Sequence, residues 1–347
     1  MSAEQPFEPQ TIVVTTAGSA PTAGTILRLR RNGYRVVATD IDATAPGLYL
    51  ADRSYIVAPG DTDDFLADIR AICVKEEAQA LVPLVDEELV AATELEDAGV
   101  VVLLPRREFV SLCLDKYVLM RRLEAMGLPV PRTRLATEWS GDVEFPLVVK
   151  PRRGRGSRGV STCTSPTELR QLLKDSPYAA DELICQTRVP GTEFTVSVVV
   201  WRDGVVQAVV PKEVILKRGV TQFAVTRRNE RITRMCRQVQ QRLRADGPFN
   251  VQLALDDAGE PYIFEINPRF SSTTALTSAA GVDEVAGLLD QELRGGSRLQ
   301  DEWRTGLAMV RRCADEFLDE ERFAAHGLLA SHTTPTDNAG PVADVAE

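Results

Sequence analysis

Asn250-Val-Gln-Leu-Ala-Leu-Asp-Asp-Ala-Gly-Glu-Pro-Tyr-Ile-Phe-Glu265-Ile-Asn267-Pro-Arg269-Phe270 is the stretch whose reading decides the rest of the chain. It has two apolar runs joined by the polar turn Asp256-Asp257-Ala258-Gly259-Glu260, the pattern of a β-hairpin. Side chains alternate across a strand, so Glu265 and Asn267 share one face while Ile266 turns to the other. Gln252 stands on the partner run, within reach of them across the hairpin. One carboxylate and two amide oxygens make a hard-oxygen set suited to magnesium, which keeps some waters and takes its remaining ligands from phosphates. Arg269, two residues past Asn267, adds a fixed cation for phosphate oxygens. An ordinary surface hairpin with a solvated Glu and Asn is the other reading of this segment taken alone.

Upstream, Arg152-Arg-Gly154-Arg-Gly156-Ser157-Arg158-Gly159 joins two strand-like runs. Its glycines let backbone N–H groups approach phosphates closely, and its arginines supply charge. By itself it also reads as a flexible surface turn. Lys150 ends the preceding run and Lys116 lies further upstream. The segment Gln186-Thr-Arg-Val-Pro-Gly-Thr-Glu193 follows, with an acid seven residues past Gln186.

Together these segments resemble the ATP-grasp superfamily, most closely its carbamoyl phosphate synthetase-like branch, in which Glu-x-Asn-Pro-Arg closes the nucleotide site. The resemblance runs from about Thr11 to about Leu329. It implies that ATP is held by Lys116 and Lys150 on the α- and β-phosphates, under a lid formed by the loop with Gly154, Gly156 and Ser157. It implies a hinge in which the backbone of Arg188 and Val189 meets adenine and Glu193 takes the ribose hydroxyls. Gln186 stands where a glutamate is common, which leaves its adenine contact open, and a solvated strand-end acid is the other reading of Glu193. Gln252, Glu265 and Asn267 become ligands to Mg2+ (or Mn2+), two ions in all. Gln252 takes the place of the carboxylate found in most of the superfamily, so metal binding is expected to stay weak until ATP arrives.

The implied reaction is attack of a substrate carboxylate on the γ-phosphate to give an acyl phosphate, which an amine then opens to an amide. Such a transfer needs positioning and charge neutralisation more than covalent help, so Arg269 and Lys212 are the catalytic candidates and no nucleophile is nominated. Lys212, Lys217 and Arg218, clustered in one strand-like run, are candidates for holding a carboxylate or the γ-phosphate. Solvated edge-strand lysines are the competing account.

The N-terminal third alternates strand and helix patterns, as a parallel doubly wound sheet does. The fold class expected is α/β: a Rossmann-like pre-ATP-grasp domain over residues 1–113, then a two-lobed α+β ATP-grasp fold over 114–330. Its lid lobe is expected at about 130–187 and its C-terminal lobe at about 188–330, with residues 331–347 read as a disordered tail. The turn at Gly18 and Ser19, with Asp40 ending the second strand, lies where a Rossmann fold holds a pyrophosphate and a ribose. The glycine spacing does not fit a dinucleotide fingerprint, and a substrate-facing role is favoured. Asp86 and Glu87, after the strand Leu81–Val85, are further substrate candidates at a strand's carboxyl end; helix capping by Asp86 is equally open.

A chain of 347 residues suits two or three lobes, and its net charge of −10 disfavours nucleic-acid and anionic-membrane partners. Positive charge for a nucleotide must therefore be gathered locally, and lysine is confined to Lys75, Lys116, Lys150, Lys174, Lys212 and Lys217. The cysteines are scattered without a Cys-x-x-Cys pair, which points to reduced, mostly buried thiols; Cys113, beside Lys116, is either a core residue or accessible. Met1–Gln10 lacks a signal-peptide pattern and no apolar run nears the roughly 20 residues of a membrane span, so a cytoplasmic protein is expected. His326 and His332 are the only histidines, which speaks against a Cys–His glutaminase. Small-molecule carboxylate and amine substrates are the expected partners, and a homodimer stays open. The leading reading is an ATP-dependent carboxylate–amine ligase. Phosphorylation of carbamate or another small acid, and a non-catalytic nucleotide-binding regulator, stand as alternatives.

Overall fold

The computed structural model describes residues 9–141, 144–320 and 323. The first sheet is built from β1 (Thr11–Val14), β2 (Arg35–Asp40), β3 (Arg53–Ile56), β4 (Ala80–Val82) and β5 (Val101–Val102). All pair in parallel in the order β3-β2-β1-β4-β5. β1 and β4 are buried along their whole length, which is why they read as unbroken apolar runs rather than alternating ones. Helices α1 (Thr22–Arg31) and α2 (Asp63–Lys75) supply the crossovers, and α2 sets Asp63 and Asp64 in its first turn and Lys75 in its last, as the helix dipole favours. After β4 comes α3 (Leu89–Ala92), followed by a 3₁₀ segment closed by Gly99 at φ 79°.

α4 (Arg107–Leu114) stops at Asp115, which restarts the chain as α5 (Lys116–Ala125) by accepting from the N–H groups of Tyr117 and Val118. This capping acid places Lys116 at the first position of α5. Next comes an antiparallel sheet of β6 (Thr133–Leu135), β7 (Leu147–Pro151), β8 (Ser161–Cys163) and β9 (Leu183–Thr187), in the order β6-β9-β7-β8. It is flanked by α6 (Pro166–Asp175), which Ser165 caps and Pro166 opens.

The third sheet orders its strands β14-β13-β10-β11-β12-β15: β10 (Thr192–Val200), β11 (Val206–Arg218), β12 (Val220–Thr226), β13 (Phe249–Leu255), β14 (Pro261–Asn267) and β15 (Ala308–Val310). α7 (Glu230–Leu243) covers one face, burying Ile232, Met235, Cys236 and Val239 against Val196, Val198 and Val251. The opposite face carries polar side chains, and α8 (Thr274–Ala279) and α9 (Glu284–Arg294) close its far side. Cys73, Cys113, Cys163, Cys185 and Cys236 are buried free thiols, so Cys113 is a core residue, and Cys313 is exposed. His326, His332 and the tail expected to be disordered lie outside the described residues. No helix among the described residues is long and apolar enough to cross a membrane.

Candidate active site

The hairpin forms as β13 and β14, with Gln252 opposite Glu265 and Asn250 opposite Asn267. One extra residue, Phe264, bulges from β14 between the Glu265 and Ile263 pairings. The polar face so made forms the floor of a cavity of about 520 Å3 whose walls come from all three sheets. Gln252, Glu265, Asn267 and Arg269 line it together with Lys116, Lys150, Gly154, Gly156, Ser157, Gln186, Arg188, Val189, Glu193 and Lys217. Residues spread over more than 150 positions of sequence are thus gathered around one space.

Each of the three oxygen ligands expected from the sequence faces a cation. Glu265 Oε1 lies 3.6 Å from Lys116 Nζ, Gln252 Oε1 accepts from Lys217 Nζ at 3.2 Å, and Asn267 Oδ1 accepts from Arg269 Nη2 at 3.4 Å. Three oxygens already directed at positive groups are a donor set that fits a hard divalent ion. Among the described residues there is no cluster of three or more His, Cys, Asp or Glu that would offer a rival metal site.

The cations are held by the elements around them. Lys116 Nζ donates to Gly154 O at 2.6 Å, and its backbone N–H donates to Arg152 O, which ties α5 to the base of the glycine-rich loop. Lys150 is buried at the end of β7, its Nζ 3.2 Å from Phe264 O and 5.3 Å from the Phe264 ring centroid. Burial pulls its pKa down to about 8; Lys116 and Lys217 add to the fall, and Glu265 and Glu193 oppose it. Lys217 Nζ donates to Glu193 Oε1 at 2.7 Å and lines the same cavity.

The loop between β7 and β8 has Gly154, Gly156, Ser157 and Gly159 at φ 112°, 69°, 60° and 68°, positive-φ backbone that glycine adopts most readily. At the hinge, Gly191 packs so closely on β13 that a Cβ there would sit 2.0 Å from Leu255 O. Gln186 Nε2 donates to Thr133 Oγ1, and the backbone N–H of Arg188 is spent on Pro146 O, so only the Arg188 carbonyl remains for a ligand.

Several expectations are corrected. Lys212 is fully buried and does not reach the cavity: its Nζ donates to Ser197 Oγ and Thr277 Oγ1, each at 2.7 Å, and it pairs electrostatically with buried Glu284. Arg218 and Gly18 do not line the cavity. Gly18 N–H instead donates to Asp40 Oδ2 at 2.7 Å, while Asp42 N–H donates to Oδ1, so Asp40 holds the turn. Ser19 does line the cavity, with Ala20 and Pro21. Asp86 lies behind the cavity wall, bonded to Arg269, and Glu87 pairs with Arg155 at 2.7 Å.

Other lining residues escaped the sequence reading. Asn250, which accepts from Thr195 Oγ1 at 2.8 Å, shares the face of Gln252 two residues on and was legible from strand alternation. Ser271, Ser272, Val220 and Thr221 had no such signal. Nor had Arg311, which donates to the carbonyls of Ala20, Thr221 and Ser272 and so ties three lining segments into one rim.

Residues 113–273 match the ATP-grasp domain family, and residues 12–102 match the PylC-like N-terminal domain family. A PylC-like N-terminal domain therefore precedes a domain of the ATP-grasp superfamily. Within it, the chain is a distant homologue of carbamoyl-phosphate synthase: it is 23% identical over 289 residues to the protein of that name from Methanobrevibacter smithii, covering 76% of this chain and 75% of the other. The same fold is seen in the ADP complex of an N5-carboxyaminoimidazole ribonucleotide synthetase, with TM-score 0.71, 20% identity and coverage of 88% and 82%. It is seen again in an L-amino acid ligase from Bacillus licheniformis, with TM-score 0.69, 16% identity and coverage of 86% and 74%.

Proposed function

We propose that this chain is an ATP-dependent carboxylate–amine ligase that forms an amide or peptide bond through an acyl phosphate and releases ADP and phosphate. The observation that carries the reading is the set of Gln252, Glu265 and Asn267 oxygens, each opposed by a cation, on the floor of a cavity that the glycine-rich loop and the hinge also line. An ADP complex and an L-amino acid ligase among proteins of the same fold support it.

In this reading Lys116 and Lys150 hold the α- and β-phosphates, and the N–H groups of the loop around Gly154, Gly156 and Ser157 cover them. Glu193 takes the ribose hydroxyls, and Arg188 and Val189 flank the base. Gln252, Glu265 and Asn267 hold magnesium, which supplies charge neutralisation to the phosphates when bound. Arg269 presents its remaining N–H groups where negative charge grows on the transferring phosphoryl group. A carboxylate oxygen of the substrate bonds to the γ-phosphorus as the bond to the ADP oxygen breaks. The amine then bonds to the acyl carbon, and phosphate leaves with the electron pair of the C–O bond. The wall of Ser19, Thr195, Thr221, Ser271 and Ser272 offers hydroxyls rather than charge to these substrates.

Phosphate release from MgATP, measured against a panel of amino acids with and without added amines, tests the activity. Oxygen-18 placed in the substrate carboxylate is expected in the released phosphate, and AMP as product overturns the mechanism. A second reading, phosphorylation of carbamate or another small acid without an amine step, draws on the kinship with carbamoyl-phosphate synthase and on Gln252. ADP formation that needs no amine and leaves no amide selects it. A non-catalytic regulator is disfavoured by the complete set of Gln252, Glu265, Asn267 and Arg269 in the cavity.

A further inference from the structure

Asp86 belongs to the N-terminal sheet's β4–α3 loop, while Arg269 follows β14, 183 positions away in sequence. Asp86 Oδ1 accepts from Arg269 Nε at 2.7 Å. The rest of the guanidinium is held by Phe270 O on Nη1 at 3.2 Å and by Asn267 Oδ1 on Nη2 at 3.4 Å. A guanidinium carries five N–H donors in a planar fork, so these three contacts fix the plane and leave two donors. Arg269 lines the cavity and Asp86 does not, so the acid stands behind the arginine and touches no ligand there. Both side chains are nearly buried, at 14% and 10% exposure, where a charge-assisted bond is screened little by water.

The loop that presents Asp86 is itself anchored. Glu88, 3% exposed, accepts from the N–H groups of Leu84 and Val85 at 2.8 and 3.1 Å and from Thr16 Oγ1 at 3.3 Å. Thr15 Oγ1 also donates to it, so the loop is fastened to the carboxyl end of β1. Asp86 is therefore a rigid backing for Arg269.

We propose that Asp86 is a positioning residue for phosphoryl transfer, through which the N-terminal domain aims the Arg269 guanidinium at the γ-phosphoryl position. The idea rests on the nucleotide reading above and assigns Asp86 a role different from substrate contact. Its loss is expected to weaken what Arg269 does and to leave nucleotide anchoring, which uses other residues, untouched.

The test uses the full chain with MgADP, alone and with aluminium fluoride as a stand-in for the γ-phosphoryl group. Asp86→Ala is expected to weaken the aluminium fluoride complex roughly 10- to 100-fold, the range found when a supporting hydrogen-bond partner of a site is removed. Affinity for MgADP alone should stay within about twofold. In an Arg269→Ala background Asp86→Ala should change nothing further, because a group that acts only through Arg269 has nothing left to act on. Equal losses for MgADP with and without aluminium fluoride, or an undiminished effect in the Arg269→Ala background, mark a domain staple and overturn the proposal. So does a wild type in which aluminium fluoride adds nothing to MgADP affinity. A wild type that binds no MgADP overturns the nucleotide reading and the proposal with it. Should Asp86→Ala not fold, solvent exchange of the Arg269 Nε–H, identified by its loss in Arg269→Lys, is read in the wild type. It should be at least tenfold slower than that of exposed Arg158, and equal rates refute the backing role.

Discussion

Lys150 and Lys212 are both buried lysines at strand positions in polar surroundings, and burial pulls both pKa values down to about 8. Their neighbours differ. The Lys212 ammonium meets two hydroxyls, Ser197 and Thr277, and the charge of Glu284, which Ser197 also contacts at 3.2 Å. The Lys150 ammonium meets a single acceptor among the described residues, Phe264 O, and a ring face, and it looks into the cavity. An ammonium has three donors. Where hydroxyls hold the ammonium in a closed interior and a buried carboxylate stands nearby, the lysine is architecture; where most donors are left over beside an open space, the cost of burying the cation is met only when an anion arrives.

The largest effect that would break this contrast is on stability. Lys212→Met strands Glu284 in the interior without its cation, and removing one partner of a buried pair costs about 3–5 kcal/mol. Lys150→Met removes a buried cation with no carboxylate in direct contact and leaves one carbonyl, Phe264 O, without its donor, so chemical denaturation should find it within about 2 kcal/mol of wild type. Equal losses in the two variants would show that Lys150 is also structural.

Next comes nucleotide affinity. A hydrogen bond to a charged group is worth about 1.5–3 kcal/mol, so Lys150→Met should weaken MgATP binding roughly 10- to 150-fold by calorimetry. Lys212 substitutions that still fold should leave the binding constant unchanged.

The pH dependence gives a smaller, signed effect. The Lys150 pKa is about 8 in the free protein, against an ordinary 10.5, and phosphate beside it raises the value in the complex. The complex therefore holds more protons, so MgATP affinity is constant below about pH 8 and falls as pH rises beyond it. That falling limb should vanish in Lys150→Met. For folding the unfolded chain holds more protons between about 8 and 10.5, so both buried lysines make stability rise with pH across that window, in agreement with a burial cost that disappears on deprotonation.

The contrast between the lysines was not legible in the sequence, although much around it was. The hairpin register that sets Gln252 opposite Glu265 follows from a polar turn and strand alternation, and the parallel first sheet follows from alternating strand and helix patterns. Lys212 and Lys217 are five residues apart, which on a regular strand sends them to opposite faces. An extra β11 residue between the Val214 and Leu216 pairings shifts the phase, so both lie on the face that carries Thr195 and Glu193. Nothing local announces that bulge. What covers each lysine is also remote: Glu284 caps one from α9, and the cavity opens over the other. The contact of Asp86 with Arg269 was hidden for the same reason, since Arg269 follows a strand of another sheet.

The smallest expected effect concerns a third kind of charge pair, neither buried nor awaiting a ligand. Arg155 of the glycine-rich loop meets Glu87 of the first domain at 2.7 Å with exposures of 26% and 34%, the regime in which an ion pair contributes about 0.2–1 kcal/mol. The loop is rich in glycine and poor in apolar anchors, and it holds Arg152, Arg153, Arg155 and Arg158, each a trypsin site. Cleavage that samples the opened loop tracks the opening equilibrium, so Glu87→Gln should speed nicking by no more than about fivefold at low salt, with the gain disappearing as salt screens the wild-type pair. MgATP is expected to slow nicking in both proteins, because phosphates engage the loop more strongly than one half-exposed carboxylate does. A loop cut at the same rate with and without MgATP would break the assignment of this segment as a phosphate cover, whatever Glu87 does.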